Sequence, residues 1–322
     1  MNIDMIRAAA VRATGHVRET PLLNSSFLDD IAGRRVWLKA EALQHTGSFK
    51  FRGAWSAISA MTDPGGVIAY SSGNHAQGIA LAAKHHNKAA VIVMPADAPK
   101  IKIDNTRALG ADVVLYDRPG GEDRDVIGAQ IAADRGLTLI KPFDNADVIA
   151  GQGTCGLEIA QQAKAVGVTQ ADVLVCCGGG GLTSGIALAC AADAPGLRVR
   201  PVEPQGFDDV ARSLRSGHPE TNAALSGSIC DAIITASPGQ LTWPILQRLC
   251  GPGIVVPDAD CLAAMAHAFS RLKLVLEPGG AISLAAALFH ADQSLGDDII
   301  CVATGGNVDA DMFQSALKGL GS

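Results

Sequence analysis

The 322-residue chain is 48% hydrophobic, carries a formal net charge of −6 and contains eight cysteines with no CxxC pairing. Such a chain can bury the cores of two lobes without external staples, and its acidic balance, with no basic run interleaved by aromatics, argues against a nucleic-acid partner. The cysteines lie in apolar text, the first thirty residues hold no apolar signal core, and no run approaches the roughly 18 apolar residues of a membrane span, so the expectation is a cytoplasmic protein with reduced thiols and no membrane partner.

Residues 67–70 are apolar, 76–85 show helical spacing and 89–94 are apolar again, which predicts a βαβ unit. The alternation continues with a helix over 99–110, a strand over 111–116, a helix over 124–134 and a strand over 137–142. These short strands with intervening helices predict a compact parallel-sheet lobe. A second series runs from a helix over 148–165 through a strand over 173–177, four glycines, a helix reaching residue 190, a strand over 198–203 and a closing strand over 298–303. Between these, 204–244 is rich in Gly, Ser, Pro and Asn and reads as functional loop rather than core. The predicted fold class is α/β in two lobes, each a mainly parallel sheet flanked by helices, with no repeat or heptad.

Two features carry chemistry. Lys50 stands between Phe49 and Phe51, where loss of water lowers an amine's pKa and frees the neutral form that attacks an aldehyde. Gly178, Gly179, Gly180 and Gly181 separate a predicted strand from a predicted helix, so their backbone approaches an anion closely and the helix start adds N–H donors and about half a positive charge. A carbonyl-capturing lysine with a phosphate cradle implies a phosphorylated aldehyde, pyridoxal 5'-phosphate. A nicotinamide-dependent dehydrogenase fits less well, because GGGG is not GxGxxG and no acidic residue follows at the ribose-holding position.

With TGSFKFRGA at 46–54, SSGNHAQG at 71–78, IAGQGT at 149–154, CGGGGLTSGIA at 177–187 and ATGGNVD at 303–309, the chain resembles the fold-type II pyridoxal phosphate enzymes, specifically the serine/threonine dehydratase and serine racemase family. The resemblance covers nearly the whole chain. It implies a tryptophan synthase β-like fold with 67–143 as a small domain, 1–66 plus 144–322 as a discontinuous large cofactor-binding domain, and a homodimer. It also implies that Lys50 bonds to the cofactor and then takes the substrate's α-proton, with Phe49 beside it. Gly178 to Gly181 and Leu182 would hold the phosphate, Asn74 the ring oxygen and Thr304 the pyridine nitrogen. Ser71, Ser72, Gly73, Asn74 and His75 would meet the carboxylate of an amino-acid substrate. A neutral hydroxyl at Thr304 leaves the nitrogen unprotonated, which suits β-elimination. Glu203, Phe207 and Asp209 match the spacing with which racemase-like members hold Mg²⁺ or Ca²⁺ through oxygen ligands.

Within the family the pattern divides. Ser72 matches the second acid/base of racemases, on the face opposite the lysine, whereas Phe143 matches threonine dehydratases. About fifteen residues follow Asn307, so no C-terminal regulatory domain is expected. The expected activity is dehydration and deamination of L-threonine or L-serine to a 2-oxo acid and ammonia; serine racemisation and L-threo-3-hydroxyaspartate dehydration are the alternatives. A silent amino-acid sensor would not need both Lys50 and Asn74.

Overall fold

The computed structural model describes residues 1–71, 73–98, 100–117, 120–290 and 296–319. In chain order its elements are α1 (Ile3–Ala13), β1 (Leu22–Asn24), α2 (Ser26–Ala32), β2 (Arg35–Lys39), α3 (Lys50–Ser59), β3 (Val67–Tyr70), α4 (Asn74–His85), β4 (Ala90–Pro95) and α5 (Lys100–Ala108). There follow β5 (Asp112–Tyr116), α6 (Arg124–Arg135), β6 (Thr138–Leu139), α7 (Ala146–Ala165), β7 (Ala171–Cys176), α8 (Gly181–Asp193), β8 (Leu197–Pro204) and α9 (Asp209–Ser216). The chain closes with α10 (Trp243–Leu249), β9 (Ile254–Val256), α11 (Asp258–His267), α12 (Pro278–Phe289), β10 (Asp298–Val302) and α13 (Ala310–Lys318).

Two sheets result. One has six strands in the order β1-β2-β10-β7-β8-β9, parallel apart from the β1–β2 pair; the other has four, in the order β5-β4-β3-β6, all parallel. Every residue of β7 and β10 is buried, as strands covered on both faces must be. One face of the larger sheet packs on α11 and α12, the other on α7 and α8. The smaller sheet shares a core with α3 and α4, in which Phe51, Trp55 and Ile79 are buried. In the larger sheet β7, β8 and β9 run outward on one side while β10 and β2 lie on the other. The strand order therefore reverses between β7 and β10, and ligands of open α/β sheets collect beyond the strand ends at such a point.

The structure departs from the sequence pattern in three places. The strand expected over 137–142 pairs only through Thr138–Leu139, because Pro142 has no N–H to donate and the Ile140 carbonyl bonds to His75. The segment read as loop over 204–244 contains α9, whose first turn is held by Glu203. The first forty residues form α1, β1, α2 and β2, which periodicity did not reveal.

Helix α3 is anchored by a buried ionic cluster. Arg52 donates to Glu41 at 2.7 Å and to Glu158 at 2.7 Å, and Lys39 pairs with the same Glu158 at 2.5 Å. These bonds tie β2 and α7 to the helix that begins with Lys50. Removing one partner would strand a buried charge, a loss of about 3–5 kcal/mol.

Candidate active site

A cavity of about 320 Å³ opens at the strand-order reversal. It is lined by Lys50, Asn74, His75, the four glycines, Leu182 and Thr304, together with Phe49, Ser71, Gly73 and Phe143. The structure thus gathers around one space residues drawn from all the motifs except IAGQGT, which lies within α7.

Lys50 opens α3 and is half-buried at the cavity wall. Its Nζ donates to the Pro142 carbonyl at 3.1 Å and lies 5.1 Å from the centroid of the Phe49 ring. Burial lowers its pKa to about 8, against the opposing pull of Cys176 and Glu277. About a tenth of the amine is then neutral at pH 7, far more than for an ordinary lysine. The two flanking rings do different work: Phe49 faces the cavity, whereas Phe51 is buried with Trp55 in the smaller sheet's core.

The glycines turn the chain from β7 into α8. Gly180 takes φ +89, a left-handed conformation that favours glycine, and caps α8. A methyl group on Gly179 would collide with the Phe143 ring, so that ring closes directly over the turn. The first N–H groups of α8 have no partner within the helix and belong to residues lining the cavity. A phosphate fits there, and an aldehyde fits at Lys50.

Asn74 is held from both sides. Its Nδ2 donates to Glu277 Oε1 at 2.6 Å, and its Oδ1 accepts from Asn307 Nδ2 at 2.7 Å. An amide carries two N–H donors, so one remains for a ring oxygen. Burial raises Glu277 to about 7, the Asp231 charge adding to the rise and Asn74, Lys102 and Lys50 opposing it. Neither Glu277 nor Asn307 was singled out from sequence. Asn307 lay inside a recognised string, and Glu277 precedes Pro278 as the N-cap residue of the apolar helix α12.

His75 is neutral: burial, then the Lys50 charge, lower its pKa to about 3. Its Nε2 must carry the proton, because it bonds at 2.9 Å to the Ile140 carbonyl, which can only accept. It lines the cavity while fastening α4 to the segment after β6. Ser71 accepts from the Gly73 N–H at 3.2 Å, which shapes the turn into α4. Ser72 lies outside the described residues. Thr304 is 3% exposed, and its hydroxyl lies 3.2 Å from Cys176 Sγ.

Glu203, Phe207 and Asp209 do not line this cavity. Glu203 accepts from the Val210 and Ala211 N–H groups at 2.9 and 2.6 Å, and Asp209 Oδ1 accepts from Asn222 at 2.6 Å. Among the described residues no cluster of three or more His, Cys, Asp or Glu side chains is gathered as metal ligands. Asp209 Oδ2 is nevertheless buried without a partner; burial, then the Asp209 charge, lift Glu203 well above the usual carboxylate range, and burial lifts Asp209 to about 6.

The eight cysteines are all free and seven are buried. Among the described residues no helix is long and apolar enough to cross a membrane.

A family model for pyridoxal-phosphate dependent enzymes matches residues 13–305. The chain is 42% identical over 322 residues to an L-threo-3-hydroxyaspartate ammonia-lyase from a Pseudomonas species, with 98% of each chain covered. It superposes on the crystal structure of a T.th. threonine deaminase with a TM-score of 0.90 and 42% identity, covering 96% of this chain and 99% of that one. For maize serine racemase the TM-score is 0.89 and the identity 37%, with 99% and 98% covered.

Proposed function

The chain belongs to the pyridoxal-phosphate dependent enzymes, and from that premise we propose that it is an ammonia-lyase acting on a β-hydroxy amino acid with a second carboxylate, of the L-threo-3-hydroxyaspartate type. One observation favours this over the L-threonine or L-serine expected from the sequence pattern. Lys102 of α5 and Arg124, the first residue of α6, both line the cavity, and among the described residues neither makes a salt bridge or side-chain hydrogen bond. A methyl group or a hydrogen at Cβ gives these cations nothing to bind. A carboxylate there gives them a charge-assisted partner. The similarity to a hydroxyaspartate ammonia-lyase supports the same reading.

Pyridoxal phosphate, when bound, supplies an aldehyde that bonds to an amine and a ring that accepts the electron pair left when the α-proton departs. In the proposed reaction Lys50 Nζ takes the α-proton, and the glycine turn with the start of α8 holds the phosphate. The free N–H of Asn74 would hold the ring oxygen, and the Thr304 hydroxyl would hold the ring nitrogen. Donors of the 71–75 turn orient the α-carboxylate, while Arg124 and Lys102 orient the distal one. Loss of the α-proton and the β-hydroxyl amounts to loss of water, and the enamine left behind hydrolyses to a 2-oxo acid and ammonia.

Ammonia release should be compared across hydroxyaspartate, serine and threonine, with borohydride trapping to mark Lys50. The expected result is a kcat/KM for hydroxyaspartate above both others and a reduced peptide containing Lys50. A preference for threonine would defeat the substrate assignment, and a chain that never takes up the cofactor would defeat the enzyme assignment.

A divalent cation is proposed at Glu203 and Asp209. The unpartnered Asp209 Oδ2 and the rise of both carboxyl groups fit a hard cation held by the two carboxylates and the Phe207 carbonyl. Mg²⁺ or Ca²⁺ would supply the missing positive charge.

A further inference from the structure

We infer that Cys176 is a positioning residue that sets the direction of the Thr304 hydroxyl toward the cofactor's ring nitrogen. This rests on the reading of Thr304 given above. Cys176 ends β7 and Thr304 follows β10; the two strands are parallel neighbours with Val302 opposite Val175, so the residues leave the sheet side by side. Sγ and Oγ1 are 3.2 Å apart, the residues are 4% and 3% exposed, and both line the cavity.

One proton decides the arrangement. Either the thiol donates to Oγ1 and the hydroxyl proton is free to face the cavity, or the hydroxyl donates to sulfur and its oxygen faces the cavity without a proton. Sulfur is the weaker acceptor, and an unprotonated pyridine nitrogen can only accept, so the first arrangement is the one that binds the ring. Burial pushes the Cys176 thiol up to about 11, which keeps its donor proton in place at any working pH. A thiol, a hydroxyl and a ring nitrogen then form a two-bond chain in which each bond polarises the next.

The test is binding of pyridoxal phosphate by the full-length, cofactor-stripped chain, compared with an analogue carrying C–H in place of the ring nitrogen. Cys176→Ala should weaken pyridoxal phosphate by roughly three- to ten-fold, the range of one net hydrogen bond, and leave the analogue unchanged. Cys176→Ser, which retains a donor, should restore the affinity. Equal weakening of both cofactors by Cys176→Ala would mean packing alone and would overturn the inference, as would no change with either. Thr304→Val separates the two levels. If it removes the preference for the nitrogen-bearing ring while Cys176→Ala does not, Thr304 keeps its role and Cys176 loses its own. If Thr304→Val leaves the preference intact, the reading of Thr304 fails and the inference falls with it.

Discussion

On the six-stranded side of the cavity, Cys176, Leu182 and Thr304 are at most 4% exposed; on the four-stranded side, Tyr70, Ser71 and Lys102 are half-buried and Arg124 is exposed. The buried wall is held by strand pairing and by the packing of Phe143 over the glycine turn. The open wall carries charge on helices whose cavity-facing cations make no salt bridge or side-chain hydrogen bond among the described residues. A cofactor that stays bound through every turnover suits the first wall, and a substrate that must enter and leave suits the second. On the proposed reading, the difference separates the wall that would hold the cofactor from the wall that would select the amino acid.

That separation can be broken by substitution on the open wall. Arg124→Ala combined with Lys102→Ala should lower kcat/KM for hydroxyaspartate by about 10- to 100-fold, the worth of a charge-assisted contact, while cofactor affinity and turnover of serine stay nearly constant. Steady-state kinetics on the three substrates decide it; equal losses on all would show that the cations act on closure or on the α-carboxylate instead.

A smaller effect sharpens the buried wall. With Lys50 near 8, the rate at which the stripped protein captures pyridoxal phosphate should rise about tenfold per pH unit below 8 and level off above it. The linkage has a definite sign: the unfolded amine, near 10.5, holds its proton between pH 8 and 10.5 while the buried amine does not, so Lys50's contribution to stability increases with pH across that window. Lys50→Met should remove both trends, read by stopped-flow absorbance and by denaturant unfolding.

The smallest effect lies behind the cavity. Asn222 bridges Asp209 to the carbonyl of Thr235, which lines the cavity wall. Mg²⁺ or Ca²⁺ should raise the melting temperature by on the order of a few degrees, and Asp209→Ala should abolish the shift. An unchanged melting curve with either ion would remove the cation from this site.

Lys50 and the glycines were legible because the tasks proposed for them admit few residue types, an amine for an aldehyde and bare backbone for a phosphate, whereas Asn74 and Thr304 were legible only through the family resemblance; the structure brings all of them to one cavity. Lys102 and Arg124 were not legible, since Lys102 shares α5 with Lys100 and Arg107 and Arg124 opens a polar helix, where charge ordinarily faces water. Glu277 was hidden for a different reason: its partner Asn74 is 203 residues away, and the sequence around it reads as the start of an apolar helix. The α/β alternation was visible from 67 onward because those strands and helices repeat at a steady rhythm. β1 and β2 were not, being strands of three and five residues whose neighbours in the sheet are each other and the distant β10.

The bonds around the cavity join remote parts of the chain: Asn307 donates to the Thr46 carbonyl across 261 positions, and Cys176 meets Thr304 across 128. No short fragment contains the site, and each such closure costs entropy before it yields a contact. Cofactor colour in this protein is therefore a certificate of assembly, available only to a chain whose opening motif and last strand have already met.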